Sequence, residues 1–184
     1  MNLATLVNAL LFQCLWFSVM VFDQQGMWLF LSALVSQFTY QCIAFKPVTL
    51  VRLPLMVMVA GIIIDAGFSA MGVFSFPTMS DQNNLAHLHV LGIPVWLVVM
   101  WLGFALTLQH SLRWLCERKA LCVAMLSIFG PVSYLAGRGF EVIQFDNADV
   151  VFVALAWSLI GFLAVQQTRR EGGDSALSGS HNLW

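Results

Sequence analysis

Six long apolar runs divide this chain, and its basic residues fall almost entirely in alternate gaps between them. Of the eight Lys and Arg residues, seven follow the second, fourth and sixth runs: Lys46, Arg52, Arg113, Arg118, Lys119, Arg169 and Arg170. Only Arg138 lies in a gap of the other parity. Positive charge is retained on the cytoplasmic side of inserted helices. The pattern therefore predicts an all-α, polytopic membrane protein, a six-helix transmembrane bundle with cytoplasmic N- and C-termini.

The composition supports the same class. A chain of 184 residues with 60% hydrophobic and 9% charged residues lies outside the range of soluble globular proteins. A net charge of −1 argues against a nucleic-acid partner. Six helices of about 20 residues, each crossing about 30 Å of hydrocarbon, leave no room for a second domain.

The polar turns between the runs predict where each helix begins and ends. The predicted spans are about 3–22, 27–45, 54–76, 90–108, 120–135 and 149–166. We expect residues 1–167 to form one membrane domain and residues 168–184, rich in Gly, Ser and charge, to form a disordered cytoplasmic tail. Residues 109–119 are amphipathic, and we expect them to continue the fourth helix to the anionic inner headgroups.

Asp65 is the most informative single residue, because an ionisable side chain deep in a span costs a few kcal/mol and so needs a partner within the bundle. Gly61, Asp65, Ser69 and Gly72 share one face of the third predicted helix, where small residues allow another helix to approach closely. Two interpretations are open. Asp65 is either a proton-titrating or substrate-orienting carboxylate in an intramembrane pocket, or a neutral acid that ties two helices together.

A second face lies on the fifth predicted helix. Its small and polar residues are Ser127, Gly130, Tyr134 and Gly137. This face runs outward to Arg138 and Glu141, and the topology places Tyr134 and Arg138 in the same outer half as Asp65. Two interpretations of Arg138 are open: a pair with one of the two carboxylates, with Tyr134 as a hydrogen-bond donor, or an interfacial side chain that contacts lipid phosphate. The candidate pocket comprises Asp65, Ser69, Tyr134, Arg138 and Glu141.

Four further residues are secondary candidates. His110, beside Arg113, is either a general base or a helix-end residue bonded to a carbonyl. Asn8 and Gln13 are ordinary candidates for interhelical hydrogen bonds.

Metal and redox chemistry have weak support in the sequence. His87 and His89 alternate at the end of an external loop, but two ligands do not make a metal site. None of the four cysteines falls in a predicted external loop or has the spacing of a metal site, so we expect no structural disulfide. We expect no metal and no cofactor.

Several short stretches resemble a family of small bacterial inner-membrane proteins designated DUF2878. They are residues 8–16 (NALLFQCLW), the Asp65 segment, residues 110–114 (HSLRW) and residues 130–137 (GPVSYLAG). The resemblance implies a multi-pass protein of the bacterial inner membrane, and it carries no established activity.

The leading functional hypothesis is an uncharacterised inner-membrane protein that binds or modifies a lipid-like molecule in an intramembrane pocket. A small transporter is the first alternative. The second is a non-catalytic scaffold for another membrane enzyme, docked through residues 109–119. The expected partners are accordingly membrane lipids, a membrane enzyme or a second copy of the chain, and whether the protein is an enzyme is left open.

Overall fold

The computed structural model describes residues 3–21, 26–44, 52–77 and 89–180. The protein is mostly helical. Its helices are α1 (Leu3–Val21), α2 (Gly26–Ala44), α3 (Arg52–Ala70), α4 (Val95–His110), α5 (Arg113–Cys116), α6 (Lys119–Gly139) and α7 (Val150–Ser180). An antiparallel hairpin, β1 (His89–Val90) and β2 (Ile93–Pro94), precedes α4, and one 3-10 turn, Asn147–Asp149, precedes α7.

Within the described residues, four helices are long and apolar enough to cross a membrane, namely α1, α3, α6 and α7. Helix α4 is apolar but has only 16 residues, and α2 packs beside α1 and α4. Large hydrophobic side chains such as Ile63 and Phe129 are exposed on the outer faces of the spanning helices. Contiguous apolar exposure of this kind is unfavourable in water and favourable in hydrocarbon, as expected of a membrane protein. The six-span count and the cytoplasmic termini stay predictions.

Contacts between helices bring most of the basic residues to one end of the molecule. Ser111, just after α4, donates a hydrogen bond to Thr5 O in α1, and Cys116 in α5 lies against Thr168 in α7. Helix α3 is antiparallel to α4, so the start of α3 lies at this end too. We call it the basic end, defined by Arg52, Arg113, Arg118, Lys119, Arg169 and Arg170.

Helix α3 ends earlier than the apolar pattern predicts. It stops at Ala70, because Gly72 adopts a left-handed conformation with φ of +75° and the Val73 N–H turns back to Phe68 O. This is a common helix C-terminus, for which glycine is favoured. Gly72 therefore lies beyond the helix and does not share the face of Asp65, which corrects the predicted stripe.

Residues 109–119 do not continue α4, contrary to the expectation from their amphipathic pattern. Helix α4 ends at His110, where Ser111 N and Leu112 N both donate to Thr107 O. The short helix α5 then turns Leu115 and Cys116 into the protein interior. Leu115 and Cys116 pack against the bundle itself, and of the segment's apolar residues only Trp114 is more than half exposed, so the segment does not form a free helix on the headgroups.

Two other helices run further than the predicted bounds. Helix α6 continues through Pro131 to Gly139, with no break at the Gly-Pro pair. Helix α7 continues to Ser180, where the composition predicted a disordered tail from residue 168. Where its apolar part ends, Thr168 Oγ1 donates to Ala164 O and Gln167 Nε2 donates to Glu171 along the helix.

Candidate polar cluster and apolar cavity

Asp65 lies in the interior of the bundle and is only 2% exposed. Trp101 of α4 donates its indole N–H to Asp65 Oδ2 at 2.6 Å. The Tyr134 hydroxyl of α6 lies 2.9 Å from Oδ1 and 2.7 Å from Oδ2 of the same carboxyl group. One acid thus joins three helices, and both of its partners are uncharged. A buried polar group is costly only when it is unpaired, so these two donors explain how Asp65 is tolerated at this depth.

Two glycines make room for the aromatic side chains around Asp65. A Cβ at Gly61, one turn before Asp65, would overlap the Trp101 indole, and a Cβ at Gly130 would overlap the Trp157 indole. The two indoles stack with centroids 5.1 Å apart and an interplanar angle of 25°. The small residues of α3 and α6 therefore accommodate rings from α4 and α7, where the sequence predicted close approach of whole helices.

The carboxyl group is enclosed on its remaining sides. The Phe74 ring, which follows α3, stacks on Tyr134 with centroids 5.4 Å apart. The gap that Asp65 lines beside α7 has no volume for a water molecule. In this conformation, a ligand reaches Asp65 only if Trp101, Tyr134 or a neighbouring ring moves.

A large apolar cavity lies on the other side of the Trp101 and Tyr134 side chains. Its volume is about 550 Å³, and it is bounded by α1, α4, α5 and α6 and by Trp157 of α7. Trp101, Tyr134 and Trp157 form part of its wall. Asp65 accepts hydrogen bonds from two of these, Trp101 and Tyr134, on the side away from the cavity. Phe129 and Val132 of α6 line the cavity and are 60% and 50% exposed, so it opens on the lipid-facing side of the protein.

The other candidate pocket residues lie apart from this cluster. The Arg138 guanidinium donates from Nη1 to Phe145 O at 3.1 Å and lies 4.9 Å from the centroid of the Phe145 ring. This contact replaces the predicted pairing of Arg138 with Asp65 or Glu141. Glu141 is exposed in a turn with φ of +60°, and Ser69 Oγ donates to Gly92 O in the hairpin at 2.8 Å.

The secondary candidates are distributed over three places. Gln13 lines the apolar cavity. Asn8 is fully buried in α1, and its side-chain amide lies 2.8 Å from Ser111 Oγ, so it has the structural role expected of it. His110 ends α4, and Arg113 begins α5 at the basic end.

The structure describes only one of the two candidate metal ligands. His89 is exposed at the start of β1, whereas His87 lies outside the described residues. Among the described residues, no three His, Cys, Asp or Glu side chains are grouped so as to hold a metal ion.

The places of Trp101 and Trp157 beside Asp65 and the contact between two cysteines were not predicted from the sequence. Trp101 lies mid-run, and a buried indole N–H usually has a hydrogen-bond partner, so its pairing with the mid-span acid had a recognisable signal. Cys116 Sγ lies 3.7 Å from Cys122 Sγ, and both thiols are free and buried. The sequence predicted the absence of a disulfide but did not predict this contact.

The comparison with known proteins assigns the chain to a family of unknown function. The family of proteins of unknown function designated DUF2878 matches residues 5–163, and the chain belongs to it. The match covers Asp65, Trp101 and Tyr134. No curated protein and no solved structure matches the chain.

Proposed function

We propose that this protein binds one lipid-like molecule in the apolar cavity between α1, α4 and α6. The cavity itself is the observation that supports the proposal. Its volume of about 550 Å³ lies in the range of about 300–1,000 Å³ that is typical of small-molecule sites. Its wall is almost wholly apolar, and aromatic rings from five helices contribute to it. Such a wall favours a hydrocarbon chain over a polar solute.

The ligand enters sideways from the bilayer. Phe129 and Val132 belong both to the cavity lining and to the exposed outer face of α6. A chain already dissolved in the membrane can pass between them without crossing water.

We further propose that the protein spans the inner membrane of bacteria six times with both termini in the cytoplasm, as the parity of its basic residues predicts.

Asp65 acts in this proposal as a positioning residue. Its carboxyl group is separated from the cavity by Trp101 and Tyr134, and the Tyr134 hydroxyl bonds it directly. Because the polar atoms of the cluster bond one another, the geometry favours binding over chemical modification of the ligand. Asp65 fixes the orientation of two wall rings, and so it acts on the ligand through them.

Tryptophan fluorescence provides a direct test, since five of the seven tryptophans line the cavity. We expect dibromostearic acid, whose bromines quench indole fluorescence on contact, to produce a saturable quenching phase in protein reconstituted in mild detergent. Ala136→Phe fills the cavity from α6. It should raise the dissociation constant of the saturable phase about tenfold or more, the change expected when about 1.4 kcal/mol of apolar contact is lost.

Ala124→Phe is the matched control, because Ala124 is exposed on the same helix and outside the cavity lining. It adds the same bulk and should leave the saturable phase unchanged. Equal quenching in Ala136→Phe and the wild type, or quenching that never saturates, would refute binding in the cavity.

A further inference from the structure

We infer that the ligand is an amphiphile with a single apolar chain and an anionic head, carboxylate or phosphate, and that Arg118 binds this head at the basic end. The inference rests on the proposed function, since it requires the chain to occupy the cavity. It adds the chemical class of the ligand and the direction in which it lies.

The cavity reaches the basic end of the molecule. Leu112, Trp114 and Leu115, in and just before α5, belong to its lining. The Arg118 guanidinium carbon lies 6.0 Å from the centroid of the Trp114 ring. A head group that emerges past Trp114 therefore meets this guanidinium, whose planar array of donors matches a carboxylate or a phosphate.

The other cations with ring contacts in the described part of the chain are directed away from the cavity. Lys119 Nζ lies 5.4 Å from the centroid of the Phe162 ring, and Arg138 lies over Phe145. Neither of these rings lines the cavity. Of these three contacts, only that of Arg118 involves a ring of the cavity wall, which distinguishes Arg118 from a basic residue that serves membrane orientation alone.

The charges at the two ends of the cavity favour the same direction. Arg113, Arg118 and Lys119 outnumber Glu117 in residues 111–119, from the end of α4 to the first residue of α6. At the opposite end, where Gly137 and Val142 line the cavity, residues 138–149 contain three acids, Glu141, Asp146 and Asp149, and one cation, Arg138. An anion is attracted to the first end and repelled from the second, so the apolar tail points away from the basic end.

Competition for the dibromostearic acid site tests the inference with three molecules that share a sixteen-carbon chain: palmitic acid, hexadecyl phosphate and hexadecanol. In the wild type we expect at least one of the two anions to displace the probe at a concentration about tenfold lower than hexadecanol. Arg118→Gln should weaken binding of the probe, which is itself a carboxylate, and remove this preference, while the dissociation constant of hexadecanol, obtained after allowing for the weaker probe binding, stays unchanged. Arg118→Lys should retain part of it, since the charge remains without the planar donors.

Lys119→Gln is the matched control, because it removes the same charge from the neighbouring residue, which lies over Phe162. We expect it to keep the preference for an anion. Equal displacement by all three molecules in the wild type, or equal losses in Arg118→Gln and Lys119→Gln, would overturn the inference. In both cases the saturable quenching that Ala136→Phe weakens would still be observed, so the proposed function would stand. If that quenching is absent from the wild type, the proposed function itself has failed.

Discussion

Trp101 donates its indole N–H to the Asp65 carboxyl group over 2.6 Å, while the same ring occupies the space left by Gly61 one turn earlier in α3. Residues four apart lie on the same side of a helix, so one side chain from α4 meets both. The polar contact and the close packing therefore depend on each other, because a displaced ring would lose the hydrogen bond. This relationship makes the wall of the cavity sensitive to single substitutions in α3.

Removal of the acceptor should destabilise the protein in a graded way. Asp65→Leu leaves the donors of Trp101 and Tyr134 unpaired, and each unpaired buried donor costs about 1–3 kcal/mol. Asp65→Asn keeps one acceptor oxygen and should cost less. Thermal unfolding in mild detergent should rank the wild type first, Asp65→Asn second and Asp65→Leu last. Tyr134→Phe, which removes one donor with little change in shape, should cost only about 1 kcal/mol. A fully stable Asp65→Leu would show that the cluster does not hold the helices.

A methyl group on either of the two ring-contacting glycines should also destabilise the protein. Gly61→Ala forces the Trp101 ring to move, and Gly130→Ala does the same to Trp157. Overpacking of this kind costs about 1–3 kcal/mol. Gly67→Ala is the control in α3, because no atom lies within 4 Å of its added Cβ, and it should be neutral or stabilising by up to about 1 kcal/mol. Unfolding temperatures that fall equally for all three would contradict the packing described.

The Ser111 hydroxyl group links the end of α4 to α1. Ser111 Oγ lies 2.7 Å from Thr5 O and 2.8 Å from Asn8 Oδ1. Ser111→Ala should lower the free energy of unfolding by about 1 kcal/mol, because buried Asn8 loses a partner. Ser127→Ala is the comparison, since that hydroxyl bonds only Ala124 O of its own helix and is expected to matter less. Hydrogen exchange at the start of α1 should increase in the first variant and not in the second.

Cys116 should be unreactive in the folded protein. Its hydrogen bond with Cys122 and its burial raise the pKa of the Cys116 thiol above its ordinary value, so at neutral pH, below that pKa, the reactive thiolate is scarce. We expect iodoacetamide to modify Cys116 only after unfolding in SDS, as measured by peptide mass spectrometry. The thiol introduced by Glu117→Cys, at the exposed neighbouring position, should react in the folded state. Comparable rates for the two thiols would show that Cys116 is accessible.

The contribution of sequence reasoning is clearest at Asp65. Hydrophobicity alone indicates that a lone mid-span acid is buried and has a partner, and the topology places Tyr134 at the same depth. Whether Arg138 pairs with Asp65, with Glu141 or with neither was not predictable. Arg138 bonds Phe145 O, which follows α6, and this contact depends on how the chain turns after Gly139. Such turns are decided by backbone geometry, which hydrophobic periodicity does not report.

Apolar runs and the parity of basic residues are local properties, because each segment partitions into the bilayer according to its own side chains. They were therefore sufficient to establish a helical membrane protein and to group its cations. The packed bundle determines the position of the cavity and the packing of the Trp101 ring against Gly61. It also determines which ring each basic side chain contacts. These features depend on how side chains from helices far apart in the chain pack against one another, and only the tertiary structure determines that packing.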